Sequence, residues 1–139
     1  MNSPIKCFLI DNDIEDQEIF LLALKKVSPS ITCEFADDGP IAIKRFTSDN
    51  LFIPDIIFID MNMPFMNGTE CLQEIRKLNH LNAVPIYIYS TFGDPELMDQ
   101  AKNLGAADFI LKPSSFLVLK ESLEKLLLSI NPGNHYISK

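Results

Sequence analysis

An α/β doubly wound fold follows from three features of this 139-residue sequence. Short apolar runs alternate strictly with helical stretches, five of each. One run, Ile56-Ile57-Phe58-Ile59, has no polar break and is rich in β-branched residues, which suits a strand covered on both faces. Asp11, Asp60, Ser90 and Lys112 each stand directly after an apolar run. Strict alternation joins parallel strands by helical crossovers. All four residues then fall on one edge of the sheet, the edge where open α/β sheets bind ligands.

Each element has its own signal. Lys6 to Ile10 reads as the first strand and stops at Asp11-Asn12-Asp13. A helix over Ile14 to Val27 follows, with Phe20, Ala23, Leu24 and Val27 at the spacing of a buried stripe. Asp13 precedes it as N-cap, and Asp16 stands three residues later in capping-box position. Ile31 to Ala36 is the second strand, closed by Asp37-Asp38-Gly39, and a helix begins over Pro40 to Phe46. Ile56 to Ile59 is the third strand, with Asp60 at its exit. Pro64 and Asn67-Gly68 mark a loop. The third helix runs from Gly68 to Leu78, followed by polar loop over Asn79 to Ala83. Val84 to Tyr89 is the fourth strand, and Asp94-Pro95 opens a helix that ends near Leu104-Gly105. Asp108 to Leu111 is the fifth strand. Ser114 or Ser115 caps the last helix, which continues to about Ile130 and stops at Asn131-Pro132-Gly133. Residues 1–131 are expected to form one domain and 132–139 a short polar tail.

Composition narrows the function. The chain is 47% hydrophobic and 22% charged, hence globular. Its formal net charge of −7 disfavours nucleic acid, whose phosphates need clustered Lys and Arg. No apolar run approaches the roughly 18 residues of a membrane span, and Met-Asn-Ser-Pro-Ile-Lys has no signal-peptide pattern. Cys7, Cys33 and Cys71 lack metal-type spacing; Cys7 and Cys33 lie in apolar segments as small core residues. A reduced, cytoplasmic protein is expected.

The four strand-end residues carry a chemistry. Two neighbouring carboxylates attract Mg²⁺, which favours one or two carboxylates with phosphate and water. A carboxylate can attack phosphorus and become an aspartyl phosphate. A lysine neutralises a transferring phosphoryl group, and a small hydroxyl can donate to a phosphate oxygen. Any one of these acids, taken alone, is as well explained by a turn or a cap; together on one edge they point to Mg²⁺-assisted phosphoryl chemistry.

With those motifs in place, the sequence resembles the receiver domains of two-component response regulators, from about Ile5 to Ile130. The resemblance implies a flavodoxin-like five-stranded parallel sheet in the order 2-1-3-4-5 with five helices. It makes Asp60 the phosphoacceptor and gives Lys112 and Ser90 catalytic roles. Ser90 and Phe109 become a switch pair, with Phe109 turning inward on phosphorylation. Asp11, Asn12, Asp60 and the backbone carbonyl of Asn62 become metal ligands. Lys112-Pro113 matches a peptide bond that is often cis in the family. One departure stands out: the family usually has two acids after the first strand, and here the second is Asn12, so Mg²⁺ binding is expected to be weak. Thr91 stands where a smaller residue is common and narrows access.

The function implied is that of a single-domain, chemotaxis-receiver-like response regulator. It would take a phosphoryl group from a histidine kinase or phosphotransfer protein and signal to a downstream protein. Self-catalysed phosphorylation and dephosphorylation would be its only enzymatic steps. Leu117, Val118 and Leu128 lie off the inward face of the last helix. With Leu97 and Met98 they mark helix four, strand five and helix five as a partner or homodimer surface. A second reading is a receiver-fold binding module with weak or lost phosphorylation, supported by Asn12 alone. A third is a haloacid-dehalogenase-type phosphatase using Asp11-Asn12-Asp13. It leaves Asp60 unexplained, and beyond Lys112 the only acids are Glu121 and Glu124, inside the last helix.

Overall fold

A computed structural model describes residues 4–91 and 93–130. Within them β1 (Lys6–Ile10), α1 (Ile14–Val27), β2 (Thr32–Ala36), α2 (Gly39–Ser48), β3 (Ile56–Asp60) and α3 (Gly68–Arg76) follow in order. A 3₁₀ turn (Asn79–Leu81), β4 (Ile86–Ser90), α4 (Pro95–Asn103), β5 (Asp108–Leu111) and α5 (Phe116–Leu128) complete the chain. The expected stop at Asn131-Pro132-Gly133 and the tail 132–139 lie outside the described residues.

The sheet is parallel throughout, in the order β2-β1-β3-β4-β5. β3 is therefore central, and all five of its residues are buried. Alternate side chains feed two cores. Phe8, Ile10, Ile57, Ile59, Ile86 and Ile88 pack under α2, α3 and α4. Cys7, Leu9, Ile56 and Phe58 pack under α1 and α5. Phe8, Phe20, Phe46 and Phe58 are fully buried, each worth about 1.5–3 kcal/mol. Their rings interlock, Phe8 with Phe46 at 4.7 Å and Phe20 with Phe58 at 4.9 Å between centroids.

Several boundaries differ from the sequence reading, each for a local reason. β2 starts at Thr32 because the Ile31 N–H is spent on the turn to Ser28 O. α2 runs from Gly39 to Ser48, longer at both ends, with Asp38 capping the Ile41 N–H. α3 ends at Arg76, and Asn79–Leu81 coils into the 3₁₀ turn where an open loop was expected. β4 starts at Ile86: the Val84 N–H turns back to Leu81 O, and Pro85 has no N–H to offer the ladder. It extends one residue further than expected, taking in Ser90. Ser115, not Ser114, caps α5, and the helix stops at Leu128 as Ser129 and Ile130 tighten onto Leu126 and Leu127. The Lys112-Pro113 bond is trans, the form that even prolyl peptides favour by about 0.5–1 kcal/mol.

Arg76 closes α3 onto the far side of the molecule. Its Nε and Nη2 donate to Gly105 O at 3.0 and 2.8 Å, and its Nη1 donates to Leu81 O at 3.1 Å. Gly105 has φ 107°, a conformation open to glycine at little cost.

Candidate functional site

Parallel strands deliver the polar residues to one edge. β1 and β3 are neighbours with Ile10 opposite Ile59, so Asp11 and Asp60 leave the sheet side by side. Asp60 pairs with Tyr89 of β4, and Ser90 stands one step beyond. Ser90 in turn pairs with Leu111 of β5, and the Lys112 N–H donates to Ser90 O at 2.7 Å. Asp11, Asp60 and Ser90 are all buried.

Lys112 gathers the acids. Its Nζ lies 3.1 Å from Asp11 Oδ2, 3.4 Å from Asp60 Oδ1 and 2.8 Å from Asp16 Oδ2. The stem passes the Tyr89 ring, with Nζ 5.0 Å from its centroid. Asp16 was read from sequence only as a capping-box residue, and the structure corrects this. The Asp13 N–H, which a capping box would give to Asp16, goes instead to Asp11 Oδ1 at 2.9 Å. Asp16 is thereby released to Lys112. Asp13 itself caps α1, accepting the Glu15 and Asp16 N–H groups, and is exposed.

Three carboxylates around one ammonium leave the site short of positive charge. Burial, then the charge of Asp11, pushes the Asp60 carboxyl up from 3.8 to about 6 against the pull of Lys112 and of the Asn62 N–H. Burial likewise raises Asp11, opposed by the Asp13 N–H and Lys112. Burial acts to lower Lys112, but Asp16, Asp11 and Asp60 outweigh it and the net shift is upward.

Other expected site residues are placed as follows. Asn12 and Asn62 are exposed beside the two carboxylates, and the Asn62 N–H approaches Asp60 Oδ1 at 3.4 Å. Phe109 does not join the charged group. It packs in the core under α2, α3 and α4 and is buried, 6% exposed. Thr91 is exposed and rims a hollow of about 420 Å³ with Asp16, Tyr89, Lys112 and Pro113.

The loop after β3 is held tightly. The Gly68 N–H donates to Met61 O at 2.9 Å. A Cβ on Gly68 would lie 2.8 Å from Met61 Cα and 2.9 Å from Asp60 O, so only glycine fits. The Met66 N–H turns back to Pro64 O at 2.8 Å around Phe65, a residue with φ 70° and 86% exposed. The left-handed backbone at a bulky residue is strained.

The donors suit a hard divalent cation. All are oxygens, and the charge deficit lies at Asp11 and Asp60. Among the described residues no three His, Cys, Asp or Glu side chains are arranged to hold a metal by themselves. An ion here would also need amide, backbone, water or phosphate oxygens, the habit of Mg²⁺.

This sheet order, with two carboxylates, a hydroxyl and a lysine at its C-terminal edge, is the layout of a phosphate-handling signalling domain. Residues 7–124 match the response regulator receiver domain, and the chain belongs to that family. Family members are signalling phosphoacceptors rather than classical enzymes, and they generally bind Mg²⁺. The chain is 28% identical over 127 residues to the chemotaxis protein CheY of Pseudomonas aeruginosa, covering 91% of this chain and 99% of that one. It is 30% identical over 127 residues to the transcriptional regulatory protein ZraR of Salmonella typhimurium, covering 91% of this chain. It spans only 27% of the length of ZraR. The solved structure of CheY4 of Vibrio cholerae superposes with a TM-score of 0.77 at 26% identity, covering 90% of this chain and all of that one. No helix among the described residues is long and apolar enough to cross a membrane.

Proposed function

We propose that this chain takes a phosphoryl group on Asp60 from a histidine kinase or histidine phosphotransfer protein and signals through phosphorylation-dependent protein contact. The observation that carries this reading is the convergence of Asp11, Asp60 and Lys112, from the ends of three different strands, on one buried point. An Asp60 carboxylate oxygen forms a bond to phosphorus as the bond from phosphorus to the donor nitrogen breaks, and the imidazole leaves with that electron pair. Lys112 balances negative charge on the phosphoryl oxygens. Ser90, one register step from the residue opposite Asp60, supplies a hydroxyl to the product. Asp11, Asn12, Asp60 and the Asn62 carbonyl are the residues that would hold Mg²⁺, weakly because Asn12 is uncharged. When bound, that ion neutralises charge developing on the phosphoryl group.

The output face is formed by α4, β5 and α5. Leu111, Leu117, Val118 and Leu128 are exposed there, Leu128 at 82%. Leu97 and Met98 are partly drawn into the core and contribute less. Ser90 and Phe109 form the link from the site to that face, which fits a downstream protein or a second copy of the chain. Phe109 is buried, and phosphorylation would act on it by a shift of population between two arrangements. The setting expected is the cytoplasm.

Incubation with acetyl phosphate and Mg²⁺, read by intact mass, tests the proposal. Wild type should gain one phosphoryl group and Asp60→Asn none. Equal labelling of both moves the acceptor elsewhere; labelling of neither favours a binding module that does not use phosphate.

A further inference from the structure

Position 12 lacks the acid that the family pattern puts there, yet the site still contains three carboxylates. The third is Asp16, from the first turn of α1. It makes the closest of the three approaches to Lys112, 2.8 Å against 3.1 Å for Asp11 and 3.4 Å for Asp60. The Lys112 ammonium donates hydrogen bonds to Asp16 and Asp11. Its 3.4 Å approach to Asp60 is an ion pair. The Asp13 N–H is taken by Asp11 Oδ1, and Asp16 makes no capping-box bond to it.

We propose that Asp16 is a positioning residue that replaces the charge missing at Asn12: by taking the closest share of the Lys112 ammonium it lessens the lysine's neutralisation of Asp60 and Asp11, leaving more of their negative charge to a divalent cation. An acid at position 12 would add its charge as a direct ligand. Asp16 adds the same charge indirectly, by occupying the lysine. An acid in a first helical turn has a commonplace purpose, favourable interaction with the helix dipole. Glu15 satisfies that description equally well, but of these two first-turn acids it is Asp16 that pairs with Lys112. The inference rests on the reading of the edge as a Mg²⁺-assisted phosphoacceptor site.

The test is Mg²⁺ binding, followed by amide NMR shifts in a magnesium chloride titration, so it does not require phosphorylation. Asp16→Asn should weaken Mg²⁺ about tenfold, the scale of removing one unit charge several ångströms from a divalent ion. Asp16→Glu should stay within about threefold of wild type. Adding Asn12→Asp to Asp16→Asn should restore the wild-type affinity or exceed it. A residue that merely stabilises α1 would lower the melting temperature without moving Mg²⁺ affinity. Unchanged affinity in Asp16→Asn overturns the proposal, and so does failure of Asn12→Asp to rescue it. Acetyl phosphate labelling of wild type, measured alongside, reports separately on the phosphoacceptor reading.

Discussion

The Lys112 ammonium stands 3.4 Å from Asp60 Oδ1, having crossed the end of β4 from β5 to reach it. That span requires a long, unbranched side chain with a charge at its tip. It also places the cation in a pocket where its own side chain is only 11% exposed. The energetics of the edge therefore turn on how well one ammonium serves three acids.

Removing Asp60's charge should stabilise the metal-free protein at neutral pH. Its pKa is about 6 in the fold against 3.8 as a free side chain, so the folded state holds the proton more tightly. As pH rises from about 4 to 6 the unfolded chain ionises first, and stability falls across that window. The full cost stands above pH 6. Urea denaturation of Asp60→Asn at pH 7 without Mg²⁺ should show a gain of about 1–3 kcal/mol over wild type. The gain should shrink towards zero at pH 4. A variant no more stable than wild type at pH 7 contradicts the charge deficit.

Lys112→Met should do the opposite. It leaves Asp11, Asp16 and Asp60 with no ammonium, a situation that typically costs about 3–5 kcal/mol when the pair is buried. The loss should be smaller at pH 4, where the raised carboxyls Asp11 and Asp60 take up protons. Equal losses at both pH values would mean that Lys112 acts mainly by packing.

Gly68→Ala tests the tight loop after β3. The added methyl meets backbone atoms of Asp60 and Met61, which cannot move aside as a flexible side chain would. Thermal unfolding should reveal a loss of about 1–3 kcal/mol. Labelling by acetyl phosphate should slow with it, since the acceptor strand must shift. A variant with wild-type stability and rate would show that the loop has more slack than its contacts imply.

Arg76→Met keeps the aliphatic stem of Arg76 and deletes its hydrogen bonds to Gly105 and Leu81. Carbonyls serving a charged donor are worth about 1.5–3 kcal/mol each, and water can reclaim part of this at the exposed Gly105. A net loss near 2 kcal/mol in urea denaturation is the expected result. A change below about 0.5 kcal/mol would reduce the clamp to a surface contact.

Much of this architecture was legible because periodicity and strand ends carry it. Ile56 to Ile59 reads as a central strand, and its register with Ile10 follows once the strands are parallel. Asp60, Asp11, Ser90 and Lys112 were visible because each interrupts an apolar run. Asp16 was hidden by its own address. An acid three residues after an N-cap reads as a capping-box residue, and nothing in the sequence says that Asp11 takes the Asp13 N–H in its place. The start of β4 was misplaced because Val84 looks like strand while its N–H serves the turn before it. The left-handed Phe65 had no signal at all, since nothing in Pro64-Phe65-Met66 asks for glycine-like backbone.

Lys112 and Asp11 are 101 positions apart in the chain. During synthesis, β1 and β3 leave the ribosome well before the lysine that steadies them. Until β5 emerges and docks, the nascent protein carries two adjacent anions at the end of its half-built sheet, with no cation of its own to quiet them. Pairings this distant in sequence slow folding, and this one can form only after Lys112 has been made. A chain halted before Lys112 would lack that ammonium altogether.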